Sequence, residues 1–161
     1  MLRKLWIKWQ VAGGKAVDIK LRSSYPACTL SNLSDNAFRF DDVQCGSMEG
    51  FLQSLKRRDV AVQRRICMMS GREAKRTSIT DWQVDQTVWW KGVAIDRQSA
   101  SFEALVKSAY KAMFTQCVPF QEALMMTRGK KLYHSIGCRD SYMTILTPQE
   151  FCKILGELRD K

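Results

Sequence analysis

Read as a pattern of apolar and polar positions, the chain divides into a strand-like beginning and a helical remainder. Residues 4–11 and 16–22 are β-rich, with Gly13-Gly14 placed as a turn between them, so they predict a first hairpin that Tyr25-Pro26 ends. Residues 37–40 and 43–45 alternate around Asp41-Asp42 and predict a second hairpin. Helical signals follow. Ser47 is placed to cap a helix that carries Glu49 in its first turn, where a negative charge suits the helix dipole. Asp59 restarts or continues that helix toward Ser70, with Gly71 as its stop.

Residues 72–98 leave the pattern open, and Val88-Trp89-Trp90 reads equally as a strand or an exposed aromatic loop. From about Ser101 to Phe114 the period is helical, with Phe102, Leu105, Val106, Ala109, Tyr110 and Met113 on one stripe. Pro119 suits a first turn, Phe120, Ala123 and Leu124 face inward, and Gly129 closes that helix. Leu132 to Ile136 is a short strand or a loop. Thr147-Pro148-Gln149-Glu150 is a capping box opening a last helix with Phe151, Ile154, Leu155 and Leu158 on one face. Strands first and helices after imply an α+β fold, with N-terminal β-hairpins packed against a mainly helical C-terminal portion. No linker or repeat divides the chain, so residues 1–161 are expected to form a single domain.

Composition narrows the chemistry. No apolar run is long enough to span a bilayer. The N-terminus, Met1 to Trp9, begins like a signal peptide but lacks the long apolar region. The expectation is a cytoplasmic protein with no membrane association. Six cysteines stand at 28, 45, 67, 117, 138 and 152, without a CxxC pair and with one histidine, so zinc spacing is absent. Three disulfides are arithmetically possible. Cys67 and Cys152 fall on apolar helical faces, however, where a free thiol acts as a small hydrophobe, and a reduced state is expected. The net charge of +10, with basic residues clustered from Lys56 to Arg76, favours an anionic partner: nucleic acid, a nucleotide or a phosphosugar. Neither a GxGxxG nor a GxxxxGK[ST] loop is present, which argues against Rossmann and P-loop folds.

Residues 30–56 resemble the NADAR family, also called YbiA-like, whose members carry an SNF…F…G…(S/T)xEHxxQAxK pattern. The matching residues here are Ser31-Asn32-Leu33, Phe38, and Ser47-Met48-Glu49-Gly50-Phe51-Leu52-Gln53-Ser54-Leu55-Lys56. Further similar segments are Gly71 to Arg76, Trp90-Lys91-Gly92, Ala109 to Phe114, Leu124 to Thr127, and His134-Ser135-Ile136-Gly137 through Asp140, so the resemblance covers about residues 25–159. Gly50 stands where the commoner pattern has histidine, Asp42 stands where the hairpin glycine is usual, and no Trp-Gly pair follows Asp140. The resemblance is stronger to a subgroup of the type SMEGFLQSLK…HSIG.

That resemblance implies a YbiA-like fold and cleavage of an N-glycosidic bond in an ADP-ribosyl or phosphoribosyl compound, with no metal or redox cofactor. Such a bond breaks through positive charge on the sugar ring, and a nearby carboxylate stabilises that charge or activates water. Glu49 is the expected catalytic acid, weighed against a helix-capping acid, and Asp140 is the second, weighed against a turn aspartate. At helical spacing Glu49, Gln53 and Lys56 share one face. That stripe is either solvated or a ligand surface. Ser31 and Asn32 suit ribose hydroxyls or a base edge. Lys75 is a candidate diphosphate ligand, with Arg72 and Arg76 as outer charges. Trp90 is placed to stack on a departing base or to fill the core. His134 is either a general acid or a structural hydrogen-bonded histidine. The leading function is removal of ADP-ribose from guanine in nucleic acid or nucleotides. Hydrolysis of phosphoribosylamino-pyrimidine intermediates and non-catalytic binding of ADP-ribose or NAD-derived nucleotides are the competing readings, with nucleic acid a further candidate partner. The oligomeric state is left open.

Overall fold

The computed structural model describes residues 2–161. Its first element corrects the strand expected at residues 4–11: Leu2–Ala12 is a helix, α1. The Gly13-Gly14 pair ends this helix rather than turning a hairpin. Lys15 N donates to Gln10 O (3.0 Å) and Gly14 N to Val11 O (3.0 Å), with Gly14 at φ +70°. These two bonds form a Schellman stop, which needs a residue tolerant of left-handed backbone at that position. The strand expected over 16–22 shrinks to β1, Ala16–Asp18.

The second hairpin is present. β2, Phe38–Phe40, pairs antiparallel with β3, Val43–Cys45, across Asp41 and Asp42 at φ +46° and +61°. Two consecutive left-handed residues give the tight turn whose twist suits a hairpin, and aspartate tolerates that region better than most side chains. Ser47 then caps α2, Met48–Ser54, by accepting from Gly50 N (3.0 Å). Asp59 caps α3, Val60–Cys67.

Gly71 does not stop a helix; it begins one. Ser70 and Glu73 form a capping box that opens α4, Gly71–Arg76. The 3₁₀ turn Asp81–Gln83 leads into β4, Thr87–Trp90, paired antiparallel with β5, Val93–Asp96. Long α5, Ala100–Gln116, and α6, Val118–Met125, follow the predicted apolar stripe. β6, Lys131–Tyr133, pairs in parallel with β1, and α7, Pro148–Arg159, starts from its capping box at Thr147.

The class is α+β: three two-stranded sheets arranged around helices. One core cluster runs from Val17 and Ile19 through Phe38, Phe51 and Leu55 to Tyr110, Phe120 and Phe151. All six cysteines are free. No described helix is long and apolar enough to cross a membrane. Two features of this packing matter for the site. The β1–β6 pairing carries the chain after β6 to the loop before β2, and α4 is pinned to that loop because Gly71 N donates to Asp35 Oδ1 (3.2 Å).

Candidate active site

Glu49 is fixed from three directions. Its backbone N donates to Asn32 O (3.0 Å), which ties the first turn of α2 to the Ser31–Leu33 loop. Its Oε1 accepts from Gln53 Nε2 one turn on (2.7 Å) and lies 3.3 Å from Lys75 Nζ on α4. The residue is only 7% exposed. Burying a carboxylate this deeply is costly without polar partners, and the amide and the ammonium supply them.

The stripe Glu49, Gln53, Lys56 is therefore a buried wall. Gln53 and Lys56 are 2% and 8% exposed. Gln53 Oε1 has no partner among the described residues, an unmet acceptor whose desolvation costs free energy unless a ligand or water donates to it. Lys56 Nζ donates to Ser78 Oγ (2.9 Å) and sits 5.8 Å from the Trp82 ring centroid. Burial lowers its pKa to about 8; the charges of Lys75 and Arg57 add to that shift and Glu49 opposes it.

Asn32 completes this corner. Its Oδ1 accepts from the Tyr110 hydroxyl (2.7 Å). Burial holds the Tyr110 phenol well above its ordinary pKa, so it remains a donor. The bond orients the Asn32 amide and leaves Nδ2 for a ligand. Ser31 is buried beside it, but its Oγ accepts from Leu33 N (3.3 Å) and shapes the loop. His134 Nδ1 lies 2.6 Å from Ile19 O, a contact that requires Nδ1–H to donate. The ring stands edge-on to Phe151 at 5.4 Å.

These residues enclose two adjoining spaces. A cavity of about 710 Å³ is bounded by Asn32, Glu49, Lys75 and His134, with Lys20, Arg22 and Arg72 adding positive charge. A chamber of about 120 Å³ shares Asn32, Glu49, Lys75 and His134 and is closed by Gln53 and Lys56. Glu49 thus stands between the two, and among the described residues lining either it is the one carboxylate.

Two expected site residues lie elsewhere. Trp90 packs in the core, 5.2 Å from the Phe51 ring and 5.6 Å from Phe40, and its Nε1 donates to Asp41 Oδ2 (2.8 Å). Its inward position in β4 leaves no face for a base, and it lines neither space. Asp140 is exposed in a turn where its Oδ1 accepts from Tyr142 N (2.9 Å), and it too lines neither space. Arg76 is exposed on α4 outside both linings, whereas Arg72 reaches the large one.

Sequence reading missed Lys20, Arg22 and Phe151 as lining residues, and Asp18 as the group that positions the His134 loop. Asp18 accepts from Ser135 N (2.9 Å) and Ser135 Oγ (2.6 Å) and pairs with Lys20 (2.6 Å). Partial burial opposes its ionisation, but the bonds from Lys20 and Ser135 outweigh it and lower its pKa.

Fold and cavity together define an α+β protein with the YbiA-like fold and a buried carboxylate beneath a cationic rim. The fold superposes on the NMR structure of the E. coli protein YbiA with a TM-score of 0.62 at 17% identity, covering 91% of this chain and 84% of that one. Residues 24–160 match the family described as Bacteriophage protein GP30.3, and the chain belongs to that family. A relative from Enterobacteria phage T4, an uncharacterized 17.1 kDa protein of the Gp30-rIII intergenic region, is 38% identical over 150 residues, covering 89% of this chain and 97% of the relative.

Proposed function

We propose that this chain is an N-glycosidase that hydrolyses the bond between ribose and a base in an ADP-ribosyl compound, with ADP-ribosylated guanine as the leading substrate. The observation that carries this reading is Glu49, buried and alone as an acid between a large basic cavity and a small chamber. Lys20 and Lys75 are paired with Asp18 and Glu49, and Arg22 and Arg72 remain as two further cations on the large cavity, a number that suits a diphosphate. With the diphosphate there, a ribose reaches Glu49. The carboxylate then faces the anomeric carbon, where it stabilises the developing cation or takes a proton from the attacking water.

The test is direct. Wild-type protein incubated with ADP-ribosylated guanosine is expected to release free ADP-ribose. Saturable ADP-ribose binding without release would instead support a non-catalytic module. Turnover of a phosphoribosylamino-pyrimidine in its place would move the substrate to the riboflavin-type intermediates.

Lys56 gives this reading a pH signature. Its ammonium lines the small chamber beside Glu49 and loses its proton near pH 8, whereas unfolded lysine holds its proton to about 10.4. ADP-ribose affinity should fall as pH rises through about 8, and Lys56→Met should flatten that profile. Stability should move the other way. The folded state binds fewer protons than the unfolded one between these two values, so stability rises with pH across that window. An affinity profile with no inflection near pH 8 in wild type would remove Lys56 from the ligand.

A further inference from the structure

Helix α1 lies outside the residues that match the family and takes no part in the site. Its side chains are distributed the wrong way round for a core helix. Ile7, 1% exposed, anchors it to the body. At 100° per residue, Leu2, Leu5, Trp6, Trp9 and Ala12 fall within an arc of roughly 120° centred almost opposite Ile7. The arc faces solvent: Leu2 is 83%, Leu5 56% and Trp9 64% exposed. Arg3 borders it on one side, and Lys4 and Lys8 on the other. Lys15 Nζ lies 5.7 Å from the Trp9 ring centroid, and Lys131 Nζ 5.9 Å from that of Trp6. No acidic residue occurs before Asp18, whose carboxylate is already engaged by Lys20 and Ser135.

We propose that α1 docks the protein onto an anionic phospholipid surface, with the Leu2–Leu5–Trp9 stripe in the acyl boundary and the flanking cations among the headgroups. An exposed apolar face bordered by lysine and arginine is the arrangement that lies in a membrane interface. A helix of 11 residues is too short to cross a bilayer, and an interfacial helix has no need to. Charge decides between occupants. A second copy would bring the same cations against these ones. Nucleic acid would satisfy the cations and tryptophans, but the two exposed leucines offer it no stacking face. Of these three occupants, a lipid surface uses both the leucines and the cations.

The full chain should float with phosphatidylcholine–phosphatidylglycerol vesicles, bind pure phosphatidylcholine at least about tenfold more weakly, and show a blue shift of tryptophan emission on binding. Leu5→Glu/Trp9→Glu should lower vesicle binding by about tenfold or more, with an unchanged melting temperature because both side chains are exposed. No retention on the anionic vesicles would overturn the proposal. Equal retention of the double variant would reduce the contact to surface charge and overturn the inserted stripe. Preference for a single-stranded oligonucleotide over vesicles, or a concentration-dependent dimer that the double variant abolishes, would also overturn it.

Discussion

Glu49→Gln is expected to lower turnover of ADP-ribosylated guanosine by roughly 10²-fold or more while ADP-ribose affinity stays within a few-fold of wild type. The substitution keeps shape and removes charge. A glutamine carbonyl at position 49 can still accept from Gln53 Nε2, so the wall of the chamber holds. Lys75 loses an ion partner, but its side chain is largely exposed and water replaces the contact at little cost. The cap on α2 comes from Ser47 and is untouched. What disappears is the one carboxylate among the described residues lining the two spaces, the charge that the proposed reaction sets against a developing sugar cation. Initial rates of ADP-ribose release, together with calorimetric binding of ADP-ribose, separate the two effects. Unchanged turnover would show that Glu49 serves the cavity wall only. Equal losses of affinity and rate would point to a collapsed site.

The core of this site was legible because it is local. Ser47, Glu49, Gln53 and Lys56 belong to one short stretch, and helical spacing alone puts the last three on one face. Their burial was not legible, since it depends on α3 and α4 folding back over α2. The opposite wall was harder still. Lys20 and Arg22 stand more than a hundred positions from His134, and the parallel pairing of β1 with β6 brings them together. No local pattern reports such a pairing. Trp90 was ambiguous for another reason: Val88 and Trp90 alternate inward against Thr87 and Trp89, but that period assigns a face only once the strand is known. At α1 the β-rich residues 4–11 before Gly13-Gly14 suggested a strand, and reading Leu2, Leu5, Trp6 and Trp9 at helical spacing reverses the assignment.

Gly50, where the commoner NADAR pattern has histidine, follows from packing, and this leads to the second large expected effect. A Cβ built on Gly50 would stand 2.7 Å from Cys67 O and 2.9 Å from Ile66 O. Those carbonyls belong to the last turn of α3, and Cys67 O also accepts from Gly46 N (2.8 Å). They are backbone atoms tied into the fold on both sides, so no rotamer change relieves the contact. Gly50→His should therefore cost about 3 kcal/mol, the upper end of ordinary overpacking, and lower the melting temperature by roughly 6–12 °C for a chain of this size. Gly50→Ala should also destabilise, because the clash exceeds the gain of about 1 kcal/mol in helix propensity. Gly156 supplies the internal control. It lies within α7, where an added Cβ meets nothing within 4 Å, so Gly156→Ala should raise stability by up to about 1 kcal/mol. Thermal and urea unfolding of the three variants give the signs directly. If Gly50→Ala matched wild type, α2 and α3 would not be held at this separation, and the glycine would need another explanation. If the signs come out as expected, position 50 is closed to any larger side chain by the approach of two backbones.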